Sequence, residues 1–371
     1  IYDVENNAVR VLAASLRRAG HSVVELYFKD WRNNAFEPPI EEELNNLVKL
    51  IKEHDIDTVG LSIRASAYFK AAIQLSETIH KHTDTAVFWG GNHPTLVPDH
   101  CIPYAEVLIR GESDDALVNY ADALAKGESL DEIGNLWVKE EDGLVHKNAL
   151  RPLATGLDHL PFRDYSSPMK FAISGKSVIQ GDPMTTDPVF QMMASRGCIF
   201  KCAYCYNSTY QNDLYQGQRF YRTRSVSSLI EESNDARSVF KNIKRVRFDD
   251  EVFNFNKDWL EEFLERYPKE IGLPFECFLE PQLVYEEKLI KLKKAGLTGV
   301  YMGVQNAETV NEGLYDRNSS DSHIKKLAKL YNKLGIHIHF QLIFDDPVAT
   351  SEDKKALFEL VSSFPRPYDL Y

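Results

Sequence analysis

A chain of 371 residues, 43% of them apolar, is long enough for two or three domains that each bury a core, and it holds no apolar run able to span a bilayer. Lys and Arg number 43 against 55 Asp and Glu, a formal charge of −12 that argues against duplex nucleic acid as the main partner. The opening Ile1-Tyr2-Asp3-Val4-Glu5 has neither a basic leader nor an apolar core, and clustered cysteines point to metal chemistry in a reducing, cytoplasmic compartment. With no initiator Met and the first strand almost absent, the chain is expected to be trimmed at its N-terminus.

Val9, Leu12 and Leu16 space a helix over 7–19 that Gly20 stops, followed by a strand at 22–28 and an amphipathic helix at 41–54. A continuous apolar strand at 58–63, a helix at 67–80, strands at 86–89 and 106–109 and a helix at 114–125 complete an alternating pattern. Alternation implies a parallel sheet with helices on both faces, whose ligands bind in loops at the strands' carboxyl ends. Residues 135–139, the turn Glu141-Asp142-Gly143 and 144–146 predict a hairpin that closes this first domain, 1–149. The Pro-, Ser- and Thr-containing stretch 150–186 has little periodicity and reads as a linker.

From Pro188 onward strand and helix alternate again. Strands are expected at 189–194, 245–248, 275–279, 300–304 and 336–343, with helices at 284–295 and 321–334 capped by Gly296 and Gly335. Five βα units make a second domain, 187–371, a partial barrel whose sixth strand is missing or only beginning. In the strand from Ile336, strand periodicity puts His337, His339 and Gln341 on the face opposite the isoleucines, Phe340 and Leu342. Helices cover a barrel's outside, so the polar face points inward and suggests a ligand cavity. Glu276 and Glu280 share a face in the same way, as do Tyr301 and Gln305. Glu276, Tyr301, His337 and His339 are therefore expected to line a substrate lumen.

The stretch from Ala194 to Cys205 carries three of the five cysteines, Cys198, Cys202 and Cys205, spaced C-x3-C-x2-C behind an apolar strand, with Gly197 freeing the backbone to wrap. Three thiolates on one loop suit a soft metal or an iron–sulfur cluster. A structural zinc site would need a fourth ligand, and the nearest candidates, His159, His323 and Cys277, are distant in sequence. Three ligands on a four-iron cluster leave one iron open to a small molecule. Cys101 and Cys277 lie in no motif and are expected to pack in cores.

C-x3-C-x-aromatic-C after a strand, with Tyr204 as the aromatic, resembles the cluster loop of the radical S-adenosylmethionine (SAM) enzymes. Gly90-Gly91-Asn92-His93-Pro94-Thr95 after one strand and Arg110-Gly111-Glu112 after the next resemble the cobalamin-binding domain often fused ahead of such barrels. The implied architecture is α/β: a Rossmann-like, cobalamin-binding-type parallel sheet followed by a partial (β/α)6 radical SAM barrel. The implied cofactors are a [4Fe–4S] cluster, SAM and cobalamin. Gly303-Val304-Gln305, Arg317 and the strand from Gln341 resemble the SAM-contacting strands of coproporphyrinogen-type members, which assigns Gln305 and Arg317 to the methionine moiety and Gln341 to the ribose. Tyr204 and Glu280 belong to the same expected SAM site. Asp249-Asp250 stands where many members have Gly-Gly-Glu, as partner for the SAM amino group, with one of the two acids capping the next helix. For cobalamin the expected contacts are Glu5, Asn6, Ser62, Gly90, Gly91, His93, Pro94, Thr95, Gly111 and Glu112, the hydroxyls of Ser62 and Thr95 bonding its nucleotide tail. Many cobalamin proteins ligate cobalt through Asp-x-His-x-x-Gly, but here Asp3-Val4-Glu5-Asn6-Asn7-Ala8 has Glu5 in the His place. Cobalamin is therefore expected without a lower histidine.

The resemblance implies SAM cleavage to a 5′-deoxyadenosyl radical and methyl transfer to an unactivated carbon of a small molecule or peptide. A flavodoxin- or ferredoxin-type donor is the implied electron source, and neither nucleic acid nor membrane is an expected partner. A radical rearrangement or cyclisation is the alternative reaction, and a cluster-bearing electron carrier or scaffold the alternative of another class. Gln305, Arg317 and the acid pair separate enzyme from carrier, since a carrier has no need of them.

Overall fold

A computed structural model describes residues 1–30, 36–253 and 256–371. Two compact units divide it: residues 1–153 with 159–186, and residues 154–158 with 187–371.

In the first unit the elements run α1 (Asn7–Arg18), β1 (Glu25–Phe28), α2 (Glu41–Glu53), β2 (Thr58–Ser62), α3 (Phe69–His82), β3 (Ala86–Gly90), α4 (Asn92–Leu96), α5 (Pro98–Cys101), β4 (Val107–Ile109), α6 (Asp114–Lys126), β5 (Leu136–Lys139), β6 (Val145–Lys147), β7 (Lys170–Ser174) and β8 (Ser177–Gln180). Asn6 caps α1 by accepting from Val9 N, and Gly127 ends α6 in the left-handed region, so local chemistry sets both boundaries. β2, β3 and β4 pair in parallel, and β5 and β6 add antiparallel strands at one edge. One face of this sheet, with Leu61, Ile63, Val87, Trp89 and Leu108, buries against α2 and α3. Trp89 donates to Ser76 Oγ at 2.9 Å, which satisfies the indole N–H inside that core. The other face, with Val107 and Ile109, packs on Leu12 and Leu16 of α1 and Ala116, Leu117 and Tyr120 of α6.

The stretch 150–186, expected as a linker, instead supplies β7 and β8. β7 pairs parallel with β1, and β8 forms its hairpin partner. Lys170 on β7 is fully buried and reaches Glu25 at 2.9 Å and Asp182 at 3.2 Å, while Arg10 binds Asp182 through two nitrogens at 2.7 and 2.9 Å. Removing one member of such a buried pair costs about 3–5 kcal/mol, because the other charge is stranded. This charged layer is what makes the segment part of the first unit. Phe171 and Ile173 alternate and join the core, but two apolar residues behind a lysine are too short a period to announce a strand.

The second unit continues with β9 (Val189–Met192), β10 (Ser195–Arg196), α7 (Tyr206–Thr209), β11 (Arg222–Thr223), α8 (Val226–Val239), β12 (Arg245–Phe248), α9 (Lys257–Glu270), β13 (Phe275–Phe278), α10 (Glu286–Lys294), β14 (Leu297–Gln305), α11 (Glu308–Gly313), α12 (Asp321–Leu334), β15 (His337–Leu342), α13 (Ser351–Ser362) and β16 (Asp369–Leu370). Six strands pair in parallel in the order β9-β12-β13-β14-β15-β16, so a sixth strand does begin, as two residues. Phe340 packs outward against Phe364 at 4.5 Å, while His339 on the other face stacks on Tyr301 at 4.3 Å. The polar stripe thus faces the inside of the curved sheet, as strand periodicity requires. Among the described residues no helix is long and apolar enough to cross a membrane.

Candidate functional site

β9 leads through β10, which pairs antiparallel with β11, into the cysteine loop. Gly197 has φ +84°, and a Cβ there would sit 2.4 Å from Phe220 O, so only glycine permits this crossing. Cys205 N donates to Cys202 O at 3.0 Å and Ser208 N to Cys205 O at 3.0 Å, closing the loop onto α7. All three thiols are free, and each sulfur has an N–H donor within reach: Phe200 N at 3.4 Å from Cys198, Asn207 Nδ2 at 3.7 Å from Cys205, and an Arg317 nitrogen at 3.9 Å from Cys202. Donors aimed at sulfur are what a thiolate-held cluster uses to tune its charge. Burial pushes the Cys198 thiol up to about 12 and raises Cys205 as well, so a cation must supply the stabilisation that makes them thiolates. The donor groups able to share a single ion lie elsewhere among the described residues, which disfavours the zinc alternative. The loop fits a cluster.

Beside it the barrel strands deliver a charged constellation. Arg317, only 5% exposed, donates through Nη2 to Glu280 Oε2 and Gly303 O, both at 2.8 Å, and through Nη1 to Tyr204 Oη at 3.3 Å. Its Nε is buried without a partner, an orphaned donor that calls for a ligand. Gln305 stands at φ +63°, rare for a residue with a side chain, at a register shift where β14 leaves its ladder with β15. A Cβ on Gly303 would lie 2.4 Å from Gln305 Nε2, so that glycine makes the room in which the amide sits. Gln341 lies in register opposite Gly303, which puts all the SAM-assigned barrel residues except the two acids around one point.

The acids divide. Asp249 is held by Arg247, whose Nε lies 2.6 Å away. Asp250 is 1% exposed, accepts from Ala194 N at 3.1 Å and from Ser195 Oγ, and is pushed up to about 7 by burial. It neither caps the next helix, a task Asn256 performs, nor presents an oxygen to a ligand. Its carboxyl ties the end of β12 to the entrance of the cysteine loop. Sequence reasoning missed a pillar under Tyr204: Tyr315 packs edge-on against it at 4.8 Å, accepts Ala203 N at 2.9 Å, and donates to Asp346. No spacing announces such a residue. Glu251, which accepts from Tyr206, went unnoticed for the same reason.

In the first unit the loops after β2, β3 and β4 meet as expected, but several residues are spent on structure. Thr95 is fully buried: its hydroxyl donates to Gly91 O at 2.8 Å and accepts Gly111 N at 2.9 Å, so it cannot reach a nucleotide tail. Gly91, at φ +102°, would drive a Cβ to 2.9 Å from Ile63 O, so it serves the turn. His93 is buried, its Nδ1 2.9 Å from Ser66 Oγ and its ring against Phe69 and His100. Burial and His100 hold it below the usual imidazole range. Pro94 is buried with it in α4, Glu112 O accepts from Asn135 at 2.6 Å, and Glu5 is exposed. Asn6 Nδ2 reaches Ser62 Oγ at 3.3 Å. The sheet face carrying Gly60, Ser62, Phe88 and Gly90 stays partly open, and Gly60 is exposed although β3 pairs beside it. Parallel sheets normally bury both faces. The Phe88 ring lies over Gly60, and the half-buried Ser62 and Gly90 beside it leave a partly covered stretch of small residues at the strands' carboxyl ends, which fits the tail of a large cofactor such as cobalamin.

Comparison with known proteins agrees with both halves. Residues 2–121 match the B12 binding domain and residues 192–361 the radical SAM superfamily. The Uncharacterized methyltransferase PH0819 of Pyrococcus horikoshii is 28% identical over 336 residues, covering 87% of this chain and 68% of the relative. The cytidylyl-2-hydroxyethylphosphonate methyltransferase of Streptomyces wedmorensis is 23% identical over 354 residues, covering 86% and 63%. Among solved structures, the radical SAM methyltransferase TsrM of Kitasatospora setae superposes with a TM-score of 0.75 at 18% identity, over 98% of this chain and 69% of TsrM. The cobalamin-dependent radical enzyme OxsB gives 0.69 at 18%, over 98% and 50%. With a B12 domain and a radical SAM domain in one chain, and a loop and barrel whose donors fit the cluster and SAM, this protein belongs to the cobalamin-dependent radical SAM enzymes, whose cofactors are a [4Fe–4S] cluster, SAM and cobalamin.

Proposed function

We propose that the chain is a cobalamin-dependent radical SAM methyltransferase acting on an unactivated carbon of a polar small molecule or peptide. The observation that carries this reading is the Arg317 junction, where one buried guanidinium reaches Glu280, Tyr204 and Cys202 and keeps an unpaired Nε. Bound cofactors supply the electron transfer and the methyl group, and the protein supplies position and dryness. Cys198, Cys202 and Cys205 hold the cluster with one iron open. Arg317, through its unpaired Nε–H, and Gln305, through its amide, hold the SAM carboxylate by hydrogen bonds to a charged group. Glu280 and Asp249 are the acids available to the amino group, Gln341 to the ribose, and Tyr204 closes the site. Asn6, Ser62, Gly90 and Gly111 approach the cobalamin, with Glu5 at its exposed rim. The methyltransferase names of the two curated relatives support methyl transfer over rearrangement. TsrM holds tryptophan, while the Streptomyces relative is named for a phosphonate, so the substrate class rests on the lumen, where Glu276, Tyr301, His337 and His339 favour a polar molecule. A cytoplasmic setting with an external flavodoxin- or ferredoxin-type donor completes the proposal.

The test is anaerobic incubation of the reconstituted protein with SAM, hydroxocobalamin and reductant, with 5′-deoxyadenosine and S-adenosylhomocysteine measured separately. Both products are expected. Deoxyadenosine alone would favour rearrangement, and neither would return the chain to the class of electron carriers.

A further inference from the structure

The barrel holds a second donor set that neither the cluster nor the SAM site uses. His337 and His339 are two apart on β15, and a strand sends alternate side chains to one face, so both imidazoles leave on the same side. β16 runs parallel beside β15 with Asp369 in register opposite His339. Asp369 Oδ2 lies 2.9 Å from His337 Nε2 and 3.0 Å from His339 Nδ1, and one donor atom from each residue falls within 4.8 Å of the other two. A cation with bonds of about 2.1 Å spaces neighbouring ligand atoms by roughly 3.0–3.4 Å, according to whether the geometry is octahedral or tetrahedral. Hydrogen bonds have similar lengths, so distance alone does not choose between them. What does is that neither ring nitrogen of the buried His339 makes a hydrogen bond: its Nδ1 faces Asp369 Oδ2 at 3.0 Å without the geometry of one.

The surroundings hold the set still. Tyr301 stacks on His339 at 4.3 Å, and Phe278 stacks on Tyr301 at 4.7 Å, an aromatic ladder across three strands. Gly299 leaves space for Glu276 nearby, since a Cβ there would come within 2.9 Å of the Glu276 Cγ. His339 is 8% exposed, so its ring is fixed in place beneath Tyr301. The side chains of His337 and Asp369 are 38% and 52% exposed, so the face toward solvent is open.

We propose that His337, His339 and Asp369 form a binding site for one divalent transition cation of the zinc or iron(II) class. Two imidazoles and one carboxylate, with positions left open, are a donor set for such ions. The open positions take water or an oxygen of a ligand in the lumen. The site is independent of SAM cleavage, so it stands or falls apart from the methyltransferase reading.

The experiment uses protein whose cluster has been reconstituted, so that the three cysteines are occupied. The protein is stripped of loose metal with a chelator and dialysed against micromolar zinc chloride. Zinc and iron per chain are then counted by plasma mass spectrometry. One zinc per chain is expected in the parent protein. His339→Ala and Asp369→Asn should each weaken zinc binding by more than about tenfold, since even outer-shell changes cost 10–100-fold. Iron content and circular dichroism should not change. His146→Ala, in the exposed Asp131–Glu140–His146 group, should retain the zinc. Zinc at background in the parent, or undiminished in both barrel variants, overturns the proposal, as does its loss in His146→Ala alone. The same titration with iron(II) ranks the two ions.

Discussion

The loops at the strand ends of the two units serve ligands by opposite means. In the first unit the side chains are small or already satisfied: Thr95 is spent on Gly91 and Gly111, and what remains is a partly open sheet face around Gly60 and Ser62. In the second, charged side chains crowd one point, with Arg317 Nε unpaired and Gln305 held at positive φ. The contrast matches the ligands. A large, flat macrocycle with a long tail is gripped by shape over a wide area, whereas a small zwitterion is gripped by charge-assisted hydrogen bonds in a dry site. Mutations should therefore separate the two functions cleanly, and each prediction below attacks one side of the comparison.

The largest effect is expected from replacing Cys198, Cys202 and Cys205 together by Ala. Iron should fall from about four per chain, the content of a [4Fe–4S] site, to background, and deoxyadenosine formation should vanish. The loop is not part of a core sheet, so circular dichroism should be preserved, and cobalamin loading should stay near that of the parent. A triple variant that still binds four irons and cleaves SAM would remove the cluster assignment.

Next come Arg317→Ala and Gln305→Ala. Hydrogen bonds to charged groups contribute about 1.5–3 kcal/mol each, so SAM affinity should drop roughly 10- to 150-fold with the cluster's absorbance unchanged. Equal affinity in parent and variants, measured by equilibrium dialysis, would contradict the charge side of the comparison.

The shape side is tested by Gly60→Leu. A Cβ at this position meets the Phe88 ring at 2.2 Å, so the ring must move and the open face fills. Cobalamin loading should fall on the order of tenfold, given overpacking costs of about 1–3 kcal/mol, while SAM cleavage without cobalamin persists. Loading that survives would put the tail elsewhere. In the parent, electron paramagnetic resonance of cobalt(II) should show no axial nitrogen splitting if, as proposed, Glu5 stands where a lower histidine would, since His93 is buried against Ser66. Three-line splitting that disappears in His93→Ala would assign that histidine to the cobalt.

The smallest effect concerns Asp250. Burial raises its carboxyl from 3.8 to about 7 in the folded protein. The folded state then binds a proton that the unfolded state has already lost, so this group makes stability decline as pH rises from about 4 to 7. Urea midpoints should decrease across that window, and Asp250→Asn should flatten the slope. An unchanged slope would mean that the bonds from Ala194 and Ser195 keep the carboxylate ionised throughout.

Most of what was legible in the sequence has its cause within about ten residues. The cysteine motif is complete between 198 and 205, helix α1 announces itself through Val9, Leu12 and Leu16, and the alternating strands separate His337 and His339 from Ile338. The two-domain α/β plan follows from the same local periodicities, which hydrophobic burial enforces wherever the chain is amphipathic. Only the tertiary structure could decide what depends on partners far apart along the chain. Lys170 became a core residue because Glu25 and Asp182 neutralise it, and so turned an apparent linker into a strand. Asp250 turned inward because Ala194 N and Ser195 Oγ were waiting 55 residues upstream and more. Thr95 was withdrawn from the ligand by Gly111, and Asp369 joined the two histidines only through the register of β15 and β16. A polar side chain's role is set by whether folding brings it a partner or leaves it facing a cavity, and that choice is made in space, not along the sequence.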